Sequence, residues 1–395
     1  MRILAVPLRK GLEQLMREIK VDPYGVKIML PKAQSRLLKV SSLSNVSANI
    51  LKQEMLSLGA DAALARGSLT GLTRKTDCLL MANLSQLSRL IAKLEDQPFG
   101  LSAIGREINA TLNNSQKNAF TLNAGKHKLN LGRHPCIMGI LNITPDSFSG
   151  DGLLNRKVEE IVSFAQEMVR SGAKIIDVGA ESSRPKAKPI SAKEEIKRLL
   201  PVIKALAKRL DVPVSVDTYK PLVASVALDN GASIINDIRG LRDKKMIKVV
   251  RRHKAAVVIM HMLKDPRTMQ DNPVYGCVID EVFAYLKEAV DRALTAGIGE
   301  NSIIIDPGIG FGKTVEHNLE ILRRLSEFKS LGKPILVGTS RKSFLGKLLK
   351  KDADKRIFGT VASSVIASLN GASIIRTHDV EAVKDALAIT EGVAR

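Results

Sequence analysis

Eight short apolar runs, each followed by a stretch of helical period, recur from Ile137 to the end of the chain. No other feature restricts the fold as much. The runs are Ile137–Leu141, Lys174–Val178, Pro213–Val216, Ser233–Asn236, Ala256–Met260, Ser302–Ile305, Pro334–Val337 and Ser373–Arg376. They are rich in Ile and Val and apolar on both faces, the pattern of strands covered on both sides. Helices are predicted after them, for example over Val158–Ser171, Ala192–Arg209, Glu281–Ala296 and Glu381–Gly392. Eight strand-then-helix units predict an α/β fold, a (β/α)8 TIM barrel. An open doubly wound sheet is the alternative, and the near-regular spacing favours closure.

Polar residues begin where each strand stops. The first strand turns polar at Asn142, Thr144, Pro145 and Asp146. The second ends in Asp177 and is followed by Glu181-Ser-Ser-Arg-Pro185. The third ends at Asp217, the fourth at Asn236-Asp237 and the fifth at His261. Asp306-Pro-Gly-Ile-Gly-Phe-Gly-Lys313, Gly338-Thr-Ser-Arg-Lys342 and Arg376-Thr-His378 follow the last three. In a barrel these positions surround one mouth. A single buried carboxylate is most simply structural, but a converging ring of them needs a ligand to pair with.

Residues 1–117 are expected to form a smaller α/β N-terminal domain, and 118–395 the barrel. In the first, Tyr24–Leu30, Leu38–Leu43, Ala60–Ala65 and Cys78–Met81 are predicted strands. Helices are predicted over Asn45–Leu58, Leu84–Leu94 and Leu101–Leu112, and Asn113–Asn118 is the linker candidate. Gly67–Lys75 lacks the spacing of a phosphate-binding loop and is taken as a surface loop. A hairpin is expected at Phe120–Asn123 and Lys128–Leu131 around Gly125-Lys126.

Composition narrows the functional classes. The net charge of +21 is spread over the chain, with +11 on residues 1–134 and +10 on 135–395. With no Trp and 3% aromatics, a base-stacking nucleic-acid surface is poorly supplied. The three cysteines form no C-x-x-C pair and the six histidines no metal motif, which fits a reducing compartment. Met1–Lys10 is too poor in apolar residues for a secretory signal, and no run suits a membrane span. A cytoplasmic enzyme is expected.

The rim itself suggests chemistry. Carboxylates and amides can pair with the edge of a nitrogen-rich ring, while Lys342, Arg376 and His378 suit a phosphate or carboxylate. Asn142 and the nearby acids are oxygen ligands of the kind Mg²⁺ accepts beside a diphosphate. Gly308, Gly310 and Gly312 let a loop approach a flat ligand. Together these point to a barrel transferase binding a flat heterocycle and an anionic group.

Five segments, in order, resemble dihydropteroate synthase: Met138–Ser149, Ile176–Pro185, Asp306–Lys313, Gly338–Ser343 and Ile375–Asp379. The resemblance covers about Phe120 to the C-terminus. It implies condensation of 6-hydroxymethyl-7,8-dihydropterin diphosphate with p-aminobenzoate, releasing diphosphate, with Mg²⁺ as cofactor. By position, Asp177, Asp217, Asn236, Asp306 and Lys342 would hold the pterin. Asn142, Arg376 and His378 would hold the diphosphate and its metal, with Asn142 as the metal ligand. Ser183, Arg184 and Pro185, with Phe311 and Ser340, would frame p-aminobenzoate. Asp217, Lys342, Arg376 and His378 are the expected catalytic residues. Where the family commonly has Ser-Thr-Arg-Pro-Gly, this chain has Ser182-Ser-Arg-Pro-Lys186, and the N-terminal segment is an addition to the minimal enzyme. The partners expected are the two small substrates and a second copy of the chain in a homodimer, with no membrane and no nucleic acid. A corrinoid-linked pterin methyltransferase on a related barrel has less use for Arg376-Thr-His378. A barrel kept only as a scaffold has no use for a complete rim.

Overall fold

A computed structural model describes residues 10–132, 134–145, 152–182, 188–265 and 268–394. The chain divides into two compact units, Met1–Asn113 and Asn114–Arg395.

The N-terminal unit is a three-stranded antiparallel sheet with helices on one face. Strands β1 (Ser35–Ser44), β2 (Asp61–Leu64) and β3 (Lys75–Asn83) lie in the order β1-β3-β2. Period-two alternation sends Thr76, Cys78, Leu80 and Ala82 inward, where they meet Leu51, Met55, Leu87, Leu90 and Leu94. Helix Leu84–Leu94 starts on a capping box in which Asn83 and Gln86 satisfy each other's backbone N–H groups.

Three expectations for this unit need correction. Gly67–Lys75 is not all loop, because Gly67–Thr70 lies in helix Arg66–Thr70 and Lys75 opens β3. Tyr24–Leu30 is not a strand but part of helix Pro23–Lys32. Asp22 caps it by accepting from the Tyr24 N–H at 2.8 Å, and Pro23 stands in the first turn, where its missing N–H costs nothing. Val26 and Leu30, one turn apart, are the buried pair. Asn113–Asn118 is not simply a linker. Helix Leu101–Gln116 runs through its first four residues, carried by the buried stripe Leu101, Gly105, Ile108 and Leu112.

The second unit opens with a hairpin, β4 (Phe120–Ala124) and β5 (His127–Leu131). Eight parallel strands follow: β6 (Cys136–Asn142), β7 (Ala173–Gly179), β8 (Val214–Asp217), β9 (Ile234–Asp237), β10 (Ala256–Met260), β11 (Ile303–Asp306), β12 (Leu336–Val337) and β13 (Ile374–Thr377). Their order is β11-β10-β9-β8-β7-β6-β13-β12. A parallel bridge between Ile305 and Ile335 joins the two ends, so the sheet closes into a (β/α)8 barrel.

Each strand serves two cores. One set of alternate residues, including Ile137, Ile176, Val178, Val216, Ile235, Val257, Ile305 and Ile375, packs outward under the helices. The other set faces the barrel axis. Its lower members, Met138, Ile175, Ile234, Val258, Ile304, Leu336 and Ile374, form an apolar floor that packs on Leu122, Ala124 and Leu131 of the hairpin. The hairpin thus plugs one end of the barrel and leaves the other to polar groups. Burying each of these side chains contributes roughly 1.5–3 kcal/mol. Helix Ala192–Arg209 shows how closely local signals define the outer layer. Ser191 caps it, Glu194 and Glu195 occupy its first turn, and Lys208 and Arg209 its last.

Candidate active site

The inward parity of the strands, continued past the apolar floor, reaches Asp177, Ser215, Asp217, Asn236, Asp306 and Arg376. Asp177 is fully buried. Its Oδ2 accepts from Arg376 Nε at 2.6 Å and from Asn236 Nδ2 at 3.1 Å. Arg376 also donates from Nη2 to Asp217 Oδ2 at 2.9 Å. One guanidinium therefore bridges two carboxylates from neighbouring strands. Arg376, expected on the diphosphate side, is bonded here to two of the acids expected to hold the pterin.

Among the described residues, three buried atoms in this layer have no hydrogen-bond partner: Asp177 Oδ1, Asn236 Oδ1 and Ser215 Oγ. A buried acceptor left unpaired costs about 1–3 kcal/mol. Two of these are pure acceptors, Asp177 Oδ1 on β7 and Asn236 Oδ1 on β9, with only β8 between their strands, so a ligand edge carrying N–H groups recovers that cost. Burial pushes the Asp217 carboxyl well above the usual range, and Asp177 and Glu195 add to the shift against the pull of Arg376 and Lys342. Burial raises Asp306 as well, against Lys342.

The loop after β11 forms a second wall. Asp306 Oδ1 accepts from the Gly308 N–H at 2.7 Å, folding the chain back at once. Gly308 has φ +70°, and a Cβ there would lie 1.9 Å from the His261 carbonyl oxygen, so only glycine fits. Gln270 Nε2 donates to the Gly310 carbonyl at 2.7 Å, and Asn318 Oδ1 accepts from the Gly310 N–H at 2.7 Å. Tyr275 donates to the Gly312 carbonyl at 2.8 Å. Buried Lys313 donates to the Phe311 carbonyl at 3.1 Å and lies 2.9 Å from His261 Nδ1. Burial lowers Lys313 to about 7 and His261 to about 2, so the imidazole is the neutral acceptor of that pair. Lys342 packs on this loop, donating to the Ile309 carbonyl with its Nζ 4.6 Å from the centre of the Phe311 ring. Burial brings Lys342 down to about 8, opposed by Asp306.

The third wall joins the first, seventh and eighth strand ends. His378 Nδ1 lies 2.9 Å from Ser340 Oγ, which also accepts from the His378 backbone N–H at 3.2 Å. Asn142 Nδ2 is 3.2 Å from His378 Nε2. With that amide donating, the imidazole proton sits on Nδ1.

The expected site residues Asn142, Asp177, Asp217, Asn236, Asp306, Phe311, Ser340, Lys342, Arg376 and His378 thus lie along these three walls. Ser183, Arg184 and Pro185, and Asp146 of the first loop, lie outside the described residues. Gln270, Asn318 and Tyr275, which hold the glycine loop, went unread because nothing in their local sequence marks them. His261 and Lys313 stood in strand-end motifs, but their pairing is visible only in space. Among the described residues no group of three or more His, Cys, Asp or Glu is placed to hold a metal ion.

A closed parallel barrel whose mouth presents buried, unpaired acceptors to a ring edge and cations beside them defines a pterin-binding barrel enzyme. The sequence profile described as "Pterin binding enzyme" matches residues 138–378. The dihydropteroate synthase of Escherichia coli (strain K12) is 45% identical over 258 residues, 65% of this chain and 91% of that protein. The Yersinia pestis dihydropteroate synthase in complex with a sulfonamide drug superposes with a TM-score of 0.67 at 41% identity, covering 69% of this chain and 99% of that one. The Thermus thermophilus enzyme in complex with 4-aminobenzoate gives 0.62 at 44% identity, covering 69% and 99%. The chain belongs to the dihydropteroate synthase family, transferases that join 6-hydroxymethyl-7,8-dihydropterin diphosphate to p-aminobenzoate in folate biosynthesis. A probable bifunctional folylpolyglutamate synthase/dihydropteroate synthase of Halobacterium salinarum is 38% identical over 364 residues, 91% of this chain and 43% of that protein. That share exceeds the barrel unit, so the likeness extends into the N-terminal unit.

Proposed function

We propose that the condensation is carried out by the three walls in distinct roles. The observation that carries this reading is the set of unpaired buried acceptors, Asp177 Oδ1 and Asn236 Oδ1, which a pterin's N–H edge satisfies. Asp217, Asp306 and Lys342 complete the hold on the ring. The Nη1 arm of Arg376, which neither carboxylate engages, and His378 take the diphosphate.

The bond from the pterin methylene to the diphosphate oxygen breaks, and its electron pair leaves with the diphosphate. The ring delocalises the cationic carbon. The aniline nitrogen of p-aminobenzoate then forms the new C–N bond and releases a proton. No strong base is needed, because that nitrogen is already nucleophilic. Arg376 and His378 stabilise the charge growing on the leaving group, and the rigid glycine loop with Phe311 and Ser340 keeps the amine in line. Ser183, Arg184 and Pro185 frame its carboxylate end.

The donor set suits Mg²⁺. That ion keeps waters and substrate phosphate oxygens and needs few protein ligands, so the Asn142 amide oxygen with a diphosphate is a fitting set where the described residues form no protein cage. When bound, it would neutralise diphosphate charge.

We also propose a homodimer through helix Ile357–Leu369. Its polarity is inverted: Thr360, Ser363 and Ser364 are buried, while Phe358 is 78% and Leu369 62% exposed. Ile389 and Val393 add to the exposed apolar surface on the C-terminal helix. No helix among the described residues is long and apolar enough to cross a membrane. The three free cysteines suit a cytoplasmic enzyme.

The test is diphosphate release from pterin diphosphate and Mg²⁺, with p-aminobenzoate present or omitted. Amine-dependent release with formation of dihydropteroate is the expected result. Release that ignores the amine would sink the reading.

A further inference from the structure

The second wall holds a buried ammonium that none of these roles uses. Lys313 is 3% exposed. Its Nζ donates to the Phe311 carbonyl at 3.1 Å and lies 2.9 Å from His261 Nδ1. Taking an ammonium out of water is costly, and an apolar side chain would fill the same space without that cost. The two bonds are therefore what distinguishes Lys313 from a core residue.

His261 ties one of them to the barrel. It directly follows β10, and its backbone N–H donates to the Asp306 carbonyl at 2.9 Å. Its ring meets the Tyr285 ring edge-on, with 4.9 Å between centroids. With the imidazole neutral, Nδ1 is an acceptor, so the strand end offers Lys313 a fixed lone pair.

The other bond falls on one peptide of the glycine loop. Asp306, Lys342, Gln270, Asn318 and Tyr275 already hold the peptide groups of Gly308, Ile309, Gly310 and Gly312. Among the described residues, the Phe311 carbonyl accepts from Lys313 alone. The Phe311 N–H donates to the Gly308 carbonyl at 3.1 Å, so with Lys313 in place both polar groups of its backbone are fixed. The Phe311 ring then leaves the loop in one direction, against Ile238, Met260, Met262 and Met269. A side chain ordered before its ligand arrives loses little freedom on binding.

We propose that Lys313, anchored on His261, is a positioning residue that sets the direction of the Phe311 ring and through it the affinity for p-aminobenzoate, touching neither substrate. This rests on the condensation proposed above and on the place given there to Phe311.

The test is steady-state kinetics on the full chain and on Lys313→Met, His261→Leu and His261→Asn. Lys313→Met should raise the KM for p-aminobenzoate on the order of tenfold, while the KM for pterin diphosphate and kcat at saturating amine stay within about threefold. His261→Leu should move the same KM in the same direction. His261→Asn keeps an acceptor near the Nδ1 position and should recover part of that loss. An unchanged amine KM, or equal changes for both substrates, overturns the proposal. If Lys313→Met does not fold, the two His261 variants decide by the same split. Isothermal titration with 7,8-dihydropteroate and with 6-hydroxymethylpterin is a readout independent of turnover. Lys313→Met should bind dihydropteroate, which carries the aminobenzoyl group, about tenfold more weakly than the wild type, and the pterin alone equally well. Equal weakening of both ligands, or of neither, overturns the proposal. A wild type that binds both and releases no diphosphate would overturn the condensation instead, and the titration would still decide the role of Lys313.

Discussion

Arg376 donates from Nε to Asp177 at 2.6 Å, although 199 residues of chain separate them. Its Nη2 reaches Asp217 at 2.9 Å, so two acids that would repel each other share one fixed cation. Arg376→Ala leaves Asp177 buried without its charge partner, a change that typically costs about 3–5 kcal/mol. Urea denaturation should show a loss of that size, and turnover should fall by two orders of magnitude or more. Arg376→Lys keeps the charge and loses the planar fork, so it should fall between the two. A stable, active Arg376→Ala enzyme would refute the shared-cation arrangement.

Lys342→Ala should abolish synthase activity and leave the fold intact, because it removes a rim cation and no core group. Near-normal turnover in that variant would count against the assignment. Burial depresses Lys342 from its ordinary value to about 8. The unfolded chain therefore binds more protons than the folded one between about 8 and 10.4, and this group makes stability rise with pH across that window. The rise should vanish in Lys342→Ala.

Activity should follow the same groups with its own signs. The cationic form of Lys342 is lost as pH rises through about 8, so kcat/KM should decline on that limb. On the acid side, Asp217 is held above the usual carboxylate range by burial, so its anion is lost at a higher pH than for an ordinary Asp. The acid limb should be absent in Asp217→Asn if the residual activity is measurable. A flat profile from pH 6 to 9 in the wild type would contradict both shifts.

Gly308→Ala should disable the glycine loop. The added Cβ meets the His261 carbonyl at 1.9 Å in a backbone region that disfavours side chains. A loss of at least about 2 kcal/mol in thermal or urea melts is expected, with weakened pterin binding. Gly132→Ala, where no atom lies within 4 Å of a Cβ, is the control and should match the wild type.

The barrel should fold without residues 1–113. Asn114 donates to the Ser330 carbonyl at 3.1 Å, a bond that a fragment beginning at residue 118 lacks. The 114–395 fragment should therefore exceed 118–395 in stability by about 1 kcal/mol in urea titration. Aggregation of both fragments would mean that the barrel depends on the first unit.

Local chemistry was enough to make all eight barrel strands and their sequence legible, because a strand buried on both faces must be an unbroken apolar run. It marked helix Ala192–Arg209 to the residue. It also picked out the polar strand ends as the rim. It missed helix Pro23–Lys32, where apolar content outweighed the Asp22-Pro23 start signal. Only the tertiary structure decided which acid shares Arg376 and that Lys313 meets a neutral His261. Propensity and burial act between neighbours along the chain and so leave a trace in sequence. A hydrogen bond between residues tens or hundreds of positions apart depends on where closure of the barrel brings their side chains, and no local pattern records that.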